Sequence, residues 1–307
     1  MSWFIIASIG YFFLALTFIL DKFILTKSVQ KPVVYTFYST IIMFGALLAY
    51  PFGVGLLEGV DWFWGLFSGI SFGFGLWTLF IAVDIGETSH ISPFNGAIVS
   101  IASYLMGSIF LQESLTQMQI WGIVFLVIAS FMLSFEKSKK HDGFHIGFVW
   151  AILSGILFAA SHVSAKYLYD LYPFLTGFVW TRATAGLVGL IVLFYPEVRA
   201  TLRSKQEEKK EEDKEQKIAK KYRVPIIIGN KILAIAAVVL VQYATDLGKV
   251  SLVRAMSGMQ FVLMFFLVYI FTKLTPQFFK EYFTTRELVV QFIALILVAV
   301  GSALFVI

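Results

Sequence analysis

The sequence predicts an all-α membrane protein: ten transmembrane helices arranged as two inverted five-helix repeats. Three observations carry that expectation. First, 59% of the 307 residues are hydrophobic and 14% are charged, with a mean hydropathy of +0.83, which leaves too little polar surface to cover a soluble globule of this length. Second, ten apolar stretches each approach the roughly 20 residues that cross a bilayer core. Third, the chain repeats itself: Ala82-Val83-Asp84-Ile85-Gly86-Glu87-Thr88-Ser89, running on to Gly96, recurs as Ala244-Thr245-Asp246-Leu247-Gly248-Lys249-Val250-Ser251, running on to Gly258. This block lies at an offset of 162 residues (Asp84 to Asp246), whereas Gly10, Phe13, Ala15, Thr36 and Tyr50-Pro51 meet Gly155, Phe158, Ala160, Thr181 and Tyr195-Pro196 at an offset of 145. The difference places an insertion of 17 residues between Pro196 and Ala244. Five helices per copy is an odd number, so the second copy enters the membrane from the opposite side and the copies are inverted, as in many transporter folds.

The first copy, residues 1–137, has spans at about 3–25, 33–56, 62–86, 91–111 and 118–136. No basic segment precedes the first span, and Lys22, Lys27 and Lys31 follow it, so it reads as a retained helix and not a signal peptide. The third span carries Gly65, Gly69 and Gly73 at four-residue spacing, with Trp77 continuing the stripe. The glycines suit close helix packing, and Trp77 is a candidate for a cavity wall. The fourth span places Gly96, Ser100, Ser103 and Gly107 on one face beside Asn95, a second wall candidate.

The second copy, residues 146–307, has spans at about 146–169, 173–196, 225–247, 250–272 and 287–307, with a charged loop at 197–223. In that loop Lys205-Gln206-Glu207-Glu208-Lys209-Lys210-Glu211-Glu212-Asp213-Lys214 mixes charges at helical spacing, as a solvated helical or disordered segment does. The repeated Asp-x-Gly-x-x-Ser at 84–89 and 246–251 falls at helix junctions and reads as a turn, with Gly ending one helix and Asp or Ser capping the next.

Ionisable and amide groups inside spans are the functional candidates, since each is costly in lipid unless it faces a cavity or a partner. Arg182 lies about nine residues into the seventh span, followed by Gly186 and Gly189 on its face. It is either an anchor for a substrate carboxylate or phosphate, or a structural ion pair or carbonyl contact. On the sixth span Gly155, Ala159, His162 and Lys166 share a face, matched in the first copy by Gly10, Leu14, Thr17 and Asp21. Asp21 and Lys166, opposite charges at equivalent positions, are expected to form a gate or ion pair or to snorkel to the interfaces. His162 lies deeper and is a candidate for substrate hydrogen bonding or proton relay. Gln242 in the eighth span and Arg254 opening the ninth complete the candidate binding set with Trp77 and Asn95. The surplus of positive charge points to an anionic or zwitterionic substrate.

The chain has no Cys, so thiolate metal sites and cysteine nucleophiles are excluded. Its net charge of +5 resides mostly in loops. Lys27, Lys31, Lys137, Lys139, Lys140, Arg199, Arg203, Lys205, Lys273, Lys280 and Arg286 share one side, against little beyond Lys249 on the other. Positive-inside bias then puts those loops in the cytoplasm and both termini outside, and nucleic-acid binding is not expected.

Ten helices in two five-helix copies, short loops, and Phe110-Leu111-Gln112-Glu113-Ser114-Leu115-Thr116 ahead of Gln119 and Gly122 together resemble the drug/metabolite transporter superfamily, specifically its EamA-type exporters. The likeness covers nearly the whole chain. Departures are Gln112-Glu113 where Gly-Glu is common, the absence of that Glu from Phe271-Thr272-Lys273-Leu274-Thr275, and Ala255 at the position matching Pro93. The resemblance implies export or exchange of small metabolites through a cavity lined chiefly by helices 1, 3, 4, 6, 8 and 9. Many relatives keep their termini in the cytoplasm, contrary to the loop charges here. The expected function is a secondary active or exchange transporter of a small organic metabolite such as an amino acid, by alternating access, in the plasma membrane. It would act as a monomer or homodimer, without a cofactor. A lipid-linked sugar flippase is an alternative of the same architecture. A polytopic membrane transferase is an alternative of another class, for which only His90 and Asn95 offer a pair.

Overall fold

A computed structural model describes the backbone of residues 2–25, 31–86, 88–134, 145–207, 214–274 and 285–307, and the side chains within 2–20, 31–86, 90–134, 145–203, 229–270 and 289–307. Its helices are α1 (Ser2–Leu25), α2 (Pro32–Ile41, continued as a 3-10 helix over Ile42–Phe52), α3 (Asp61–Ile85), α4 (Thr88–Phe110), α5 (Gln117–Ser134), α6 (Ile146–Leu171), α7 (Phe174–Val192), α8 (Pro196–Glu207), α9 (Lys214–Leu247), α10 (Val250–Ala255), α11 (Ser257–Leu274) and α12 (Thr285–Ala303). Nine spans among the described residues are long and apolar enough to cross a membrane, α10 and α11 together forming one. α12 adds the apolar stretch Val289–Ala303. The chain is therefore an all-α, multi-pass membrane protein. Exposed Ile42, Leu48, Phe52, Phe63, Ile109 and Phe292 stand on outer faces, where lipid replaces water as the solvent.

The principal packings are α3 on α6, α1 on α9, α4 on α6, α3 on α7, α5 on α12, α4 on α5, α2 on α7, α4 on α10 and α1 on α11. Small residues permit them. A Cβ on Gly69 would lie 2.1 Å from Thr184 Oγ1 and 2.4 Å from the Ala185 backbone nitrogen, and one on Gly73 would lie 2.5 Å from Val188. The glycine stripe of α3 thus seats it on α7. Thr184 secures the contact by donating to the Gly65 carbonyl at 2.8 Å. Gly186 and Gly189 likewise seat α7 on α2, against Phe44 and Ile41, and Gly122 and Gly301 face each other between α5 and α12. Without a hydrophobic driving force in lipid, such close approach supplies the dispersion contacts that hold helices together.

The two repeated junctions close alike: Gly86 N–H donates to the Ala82 carbonyl and Gly248 N–H to the Ala244 carbonyl, both at 2.9 Å. The capping expected of Asp or Ser differs from what forms in the second copy. There Glu113, from the α4–α5 connection, accepts from Val250 N–H at 2.6 Å, from Ser251 N–H at 3.2 Å and from the Ser251 hydroxyl. A carboxylate at the positive end of a helix is favourable in both hydrogen bonding and dipole. Lys249 donates across the same gap to the Ser114 carbonyl.

The segment expected as a charged loop at 197–223 is helical wherever it is described. α8 occupies its start and α9 begins at Lys214, so the helix that carries the span Gly229–Leu247 extends into it; residues 208–213 lie outside the described residues. Of the basic residues on which the expected orientation rests, Lys27, Lys137, Lys139, Lys140, Lys205, Lys273, Lys280 and Arg286 have side chains outside the described set. Lys31 approaches Glu197 of α8 at 3.8 Å, so two of the loops assigned to one side do meet. At the other end Tyr172 donates to Asp61 Oδ2 at 2.6 Å. That bond to a carboxylate holds the Tyr172 hydroxyl above the ordinary phenol pKa.

Candidate functional site

A cavity of about 300 Å³ lies among α1, α3, α4, α6, α7, α9, α10 and α11. Leu79, Ser92, Asn95 and Val99 line it together with Val241, Arg254, Ser257 and Phe261, which are their counterparts at the 162-residue offset. Its depth follows from helix geometry: Arg182 is eight residues past the start of α7, about 12 Å along the axis at 1.5 Å per residue.

The break between α10 and α11 shapes one wall. α10 is six residues long, the chain turns at Met256, and α11 resumes at Ser257. A broken helix inside a membrane is tolerated where its freed carbonyls find partners. Here Tyr11 of α1 donates to the Val253 carbonyl at 2.8 Å and Ser100 of α4 to the Arg254 carbonyl at 3.3 Å. With Glu113 on its first turn, α10 is held at both ends by residues of the first copy.

Arg254, in the last turn of α10, is 7% exposed. It donates to Thr245 Oγ1 at 2.7 Å and Gln242 Oε1 at 3.5 Å, and its other terminal nitrogen is 3.4 Å from His162 Nε2. A guanidinium only donates, so His162 Nε2 accepts and the neutral ring carries its proton on Nδ1. Gln242 Oε1 also accepts from Tyr169 at 3.3 Å. Arg182, 6% exposed, lies 4.3 Å over the Phe72 ring and 5.8 Å from that of Phe178, and makes no hydrogen bond or ion pair among the described residues. Cation–π contact is worth about 2 kcal/mol or more when desolvated, whereas placing a charge at the bilayer centre costs at least about 2.5–3.5 kcal/mol. Phe72 therefore offsets only part of the burial.

The described lining residues include no Asp or Glu. Asp246, one turn past Gln242, is partly exposed; its carbonyl accepts from Lys166 Nζ at 2.8 Å. His162 Nδ1, Arg182 Nε, Arg254 Nε and Ser257 Oγ are buried without partners, and all four belong to residues of this one cavity. The arrangement is a donor-rich, positively charged cup with walls of Phe72, Phe158, Phe261, Leu14 and Val241.

The structure thus brings together Asn95, His162, Arg182, Gln242 and Arg254. Asn95 also ties α4 to α6 by donating to the Ala151 carbonyl at 2.9 Å. Trp77 is a correction: it packs 5.2 Å from Tyr195 and 6.1 Å from Phe74, in the cluster of Val33, Phe37, Val188 and Val192, away from the cavity. Its position on α3 lets the ring serve the α2–α7 contact. Lys166 pairs with Asp170 on its own helix at 2.8 Å. It lines a separate vestibule of about 430 Å³ with Trp3, Glu113, Asp170, Lys249 and Phe305. The side chain of Asp21, its proposed counterpart, lies outside the described residues. Tyr11, Phe72, Thr245 and Tyr169 were not anticipated. A tyrosine hydroxyl inside an apolar span, which demands a partner, was the available signal for Tyr11 and Tyr169.

No protein-family model matches the chain, and no curated protein does. A solved structure described only as "Crystal structure of protein" is similar over 99% of this chain and 98% of that one, with a TM-score of 0.67 and 17% identity. At that identity the likeness is one of fold.

Proposed function

We propose that the chain is an alternating-access carrier for a small organic solute bearing an anionic group, with the cavity as its binding site. The observation that carries this reading is the pair of buried guanidinium groups, Arg182 and Arg254, facing one cavity within the membrane with no acid among its described lining residues. Charge buried that way is a standing cost unless a ligand supplies the counter-charge.

The internal sequence repeat supports the same reading. Exchanging α1 with α6, α2 with α7, α3 with α9, α4 with α10–α11 and α5 with α12 maps α3 on α6 onto α1 on α9 and α4 on α6 onto α1 on α11, and keeps α2 on α7 and α5 on α12, whereas α3 on α7 has no such counterpart among the described residues. Residues at the repeat offset also line the cavity in pairs. In repeat-built carriers the substrate lies where the copies meet, and one copy rocks against the other. The resemblance to EamA-type exporters adds export, and the loop charges add cytoplasmic basic loops.

Binding is coupled to the helix break. An anion that engages Arg254 competes with its bonds to Gln242 and Thr245, and through Gln242 with Tyr169. Those bonds join α10 to α9 and α9 to α6, so substrate is placed to loosen or tighten the hold on α10.

The test is counterflow into proteoliposomes across a panel of organic acids and amino acids, with Arg182→Ala as control. Solute-dependent counterflow lost in the variant is expected. Failure with the whole panel by folded protein, alongside turnover of a lipid-linked sugar, would make the chain a flippase.

A further inference from the structure

We infer that the substrate is a net anion, a carboxylate or phosphate monoester on an apolar body with no cationic group, and not a zwitterion. This rests on the carrier reading of the cavity and narrows it by charge. Two guanidinium groups give the described lining a charge of plus two, and Asp246 lies outside it with its carbonyl on Lys166. A zwitterion such as an amino acid has no net charge and leaves that surplus in place, whereas a monoanion halves it and a dianion removes it. The ammonium group of a zwitterion would also need acceptors, and beside two guanidinium groups the described lining offers only neutral ones, on Ser92, Asn95, Gln242, Ser257 and Gln260. Gln242 Oε1 already receives Tyr169 and Arg254, and His162 Nε2 faces Arg254. The unpartnered nitrogens are all donors: Arg182 Nε, Arg254 Nε and His162 Nδ1. Donors converging in a low-dielectric site select an oxyanion, and an ammonium ion placed among them meets like charge.

The walls specify the remainder of the molecule. Phe72, Phe158 and Phe261 with Leu14, Val99 and Val241 leave most of the surface apolar, so a ring or branched chain behind the anionic group is buried against hydrocarbon at a gain of about 25 cal/mol per Å². About 300 Å³ limits the ligand to a small molecule.

The experiment measures the melting temperature of the full chain in detergent with five probes at equal concentration. Phenylpyruvate and phenyl phosphate are the amphipathic anions, L-phenylalanine the zwitterion, phenethylamine the cation, and acetate the anion without an apolar body. A ligand that binds only the folded state raises the melting temperature with its concentration relative to Kd. Stabilisation by at least one phenyl anion is expected, with L-phenylalanine requiring about tenfold or more higher concentration for the same shift and with phenethylamine and acetate inert. The shift should vanish in Arg182→Gln and persist, reduced, in Arg182→Lys, the ligand-free melting temperature of each variant reporting its folding. Equal or greater stabilisation by L-phenylalanine or phenethylamine, or none by either phenyl anion, overturns the inference. Stabilisation by acetate equal to that of the phenyl anions overturns its apolar part. Binding of L-phenylalanine followed by its counterflow in liposomes would sink the charge assignment and leave the carrier standing. Anion binding without any counterflow would do the reverse.

Discussion

Arg182 separates a structural from a functional explanation of buried charge. A buried ion pair broken by removing one partner typically costs about 3–5 kcal/mol, but Arg182 has no hydrogen bond or ion pair among the described residues and rests on Phe72. Replacing it with a residue of similar volume removes an uncompensated charge. Arg182→Met is therefore predicted to abolish transport while leaving the ligand-free melting temperature unchanged or raised, as when a binding site is held at the expense of stability. A fall of many degrees would return Arg182 to a structural role. Arg254→Met should behave differently, because it takes a donor from Thr245 and Gln242 and leaves the buried His162 Nε2 without its partner, which costs about 1–3 kcal/mol. Trp77→Phe should leave transport intact, since Trp77 lies against Tyr195 and Phe74 away from the cavity, and a direct uptake assay of that variant checks this.

At the scale of elements, α10 is a six-residue helix held by side chains distant in sequence. Glu113 caps its start from 137 residues away, while Tyr11 and Ser100 satisfy its last carbonyls. Glu113→Ala is predicted to cost about 0.5–2 kcal/mol of stability, the usual range for a lost cap, and to weaken anion binding by loosening the helix that presents Arg254. Thermal melts with and without phenylpyruvate read both effects. This device was not legible in the sequence, where Glu113 stood only as part of a short motif, and no Pro marked the break at Met256. The glycine stripe of α3 was legible, because four-residue spacing of Gly has one physical use, close approach, and Gly69 and Gly73 fulfil it against Thr184 and Val188. The buried ionisable and amide residues were legible for a similar reason: Asn95, His162, Arg182, Gln242 and Arg254 have few places in an apolar bundle besides a shared cavity. Trp77 was misplaced because an aromatic ring packs equally well on a cavity wall or between helices, and periodicity does not name the neighbour.

Across the whole molecule, an odd number of spans per copy and a repeat offset led to expecting a site at the meeting of the copies, and the residues that differ between the copies give it its charge. Arg254 stands where the first copy has Ser92. In the proposed carrier, a cavity without substrate holds two buried guanidinium groups with no counter-charge, so reorientation without bound anion would be disfavoured. Exchange should therefore outrun net flux, efflux into solute-free medium being about tenfold slower or more than into medium containing the same anion. Orientation is checked by Arg203→Cys in this chain without native Cys. An impermeant thiol reagent applied to intact cells is predicted not to label it, and labelling would put the termini in the cytoplasm. The most direct measurement is counterflow of labelled phenylpyruvate into liposomes preloaded with the unlabelled anion, wild type beside Arg182→Ala. Transient accumulation by the wild type and none by the folded variant is the predicted result. Equal accumulation by both, or none by either, would contradict a carrier built on the two-arginine cavity.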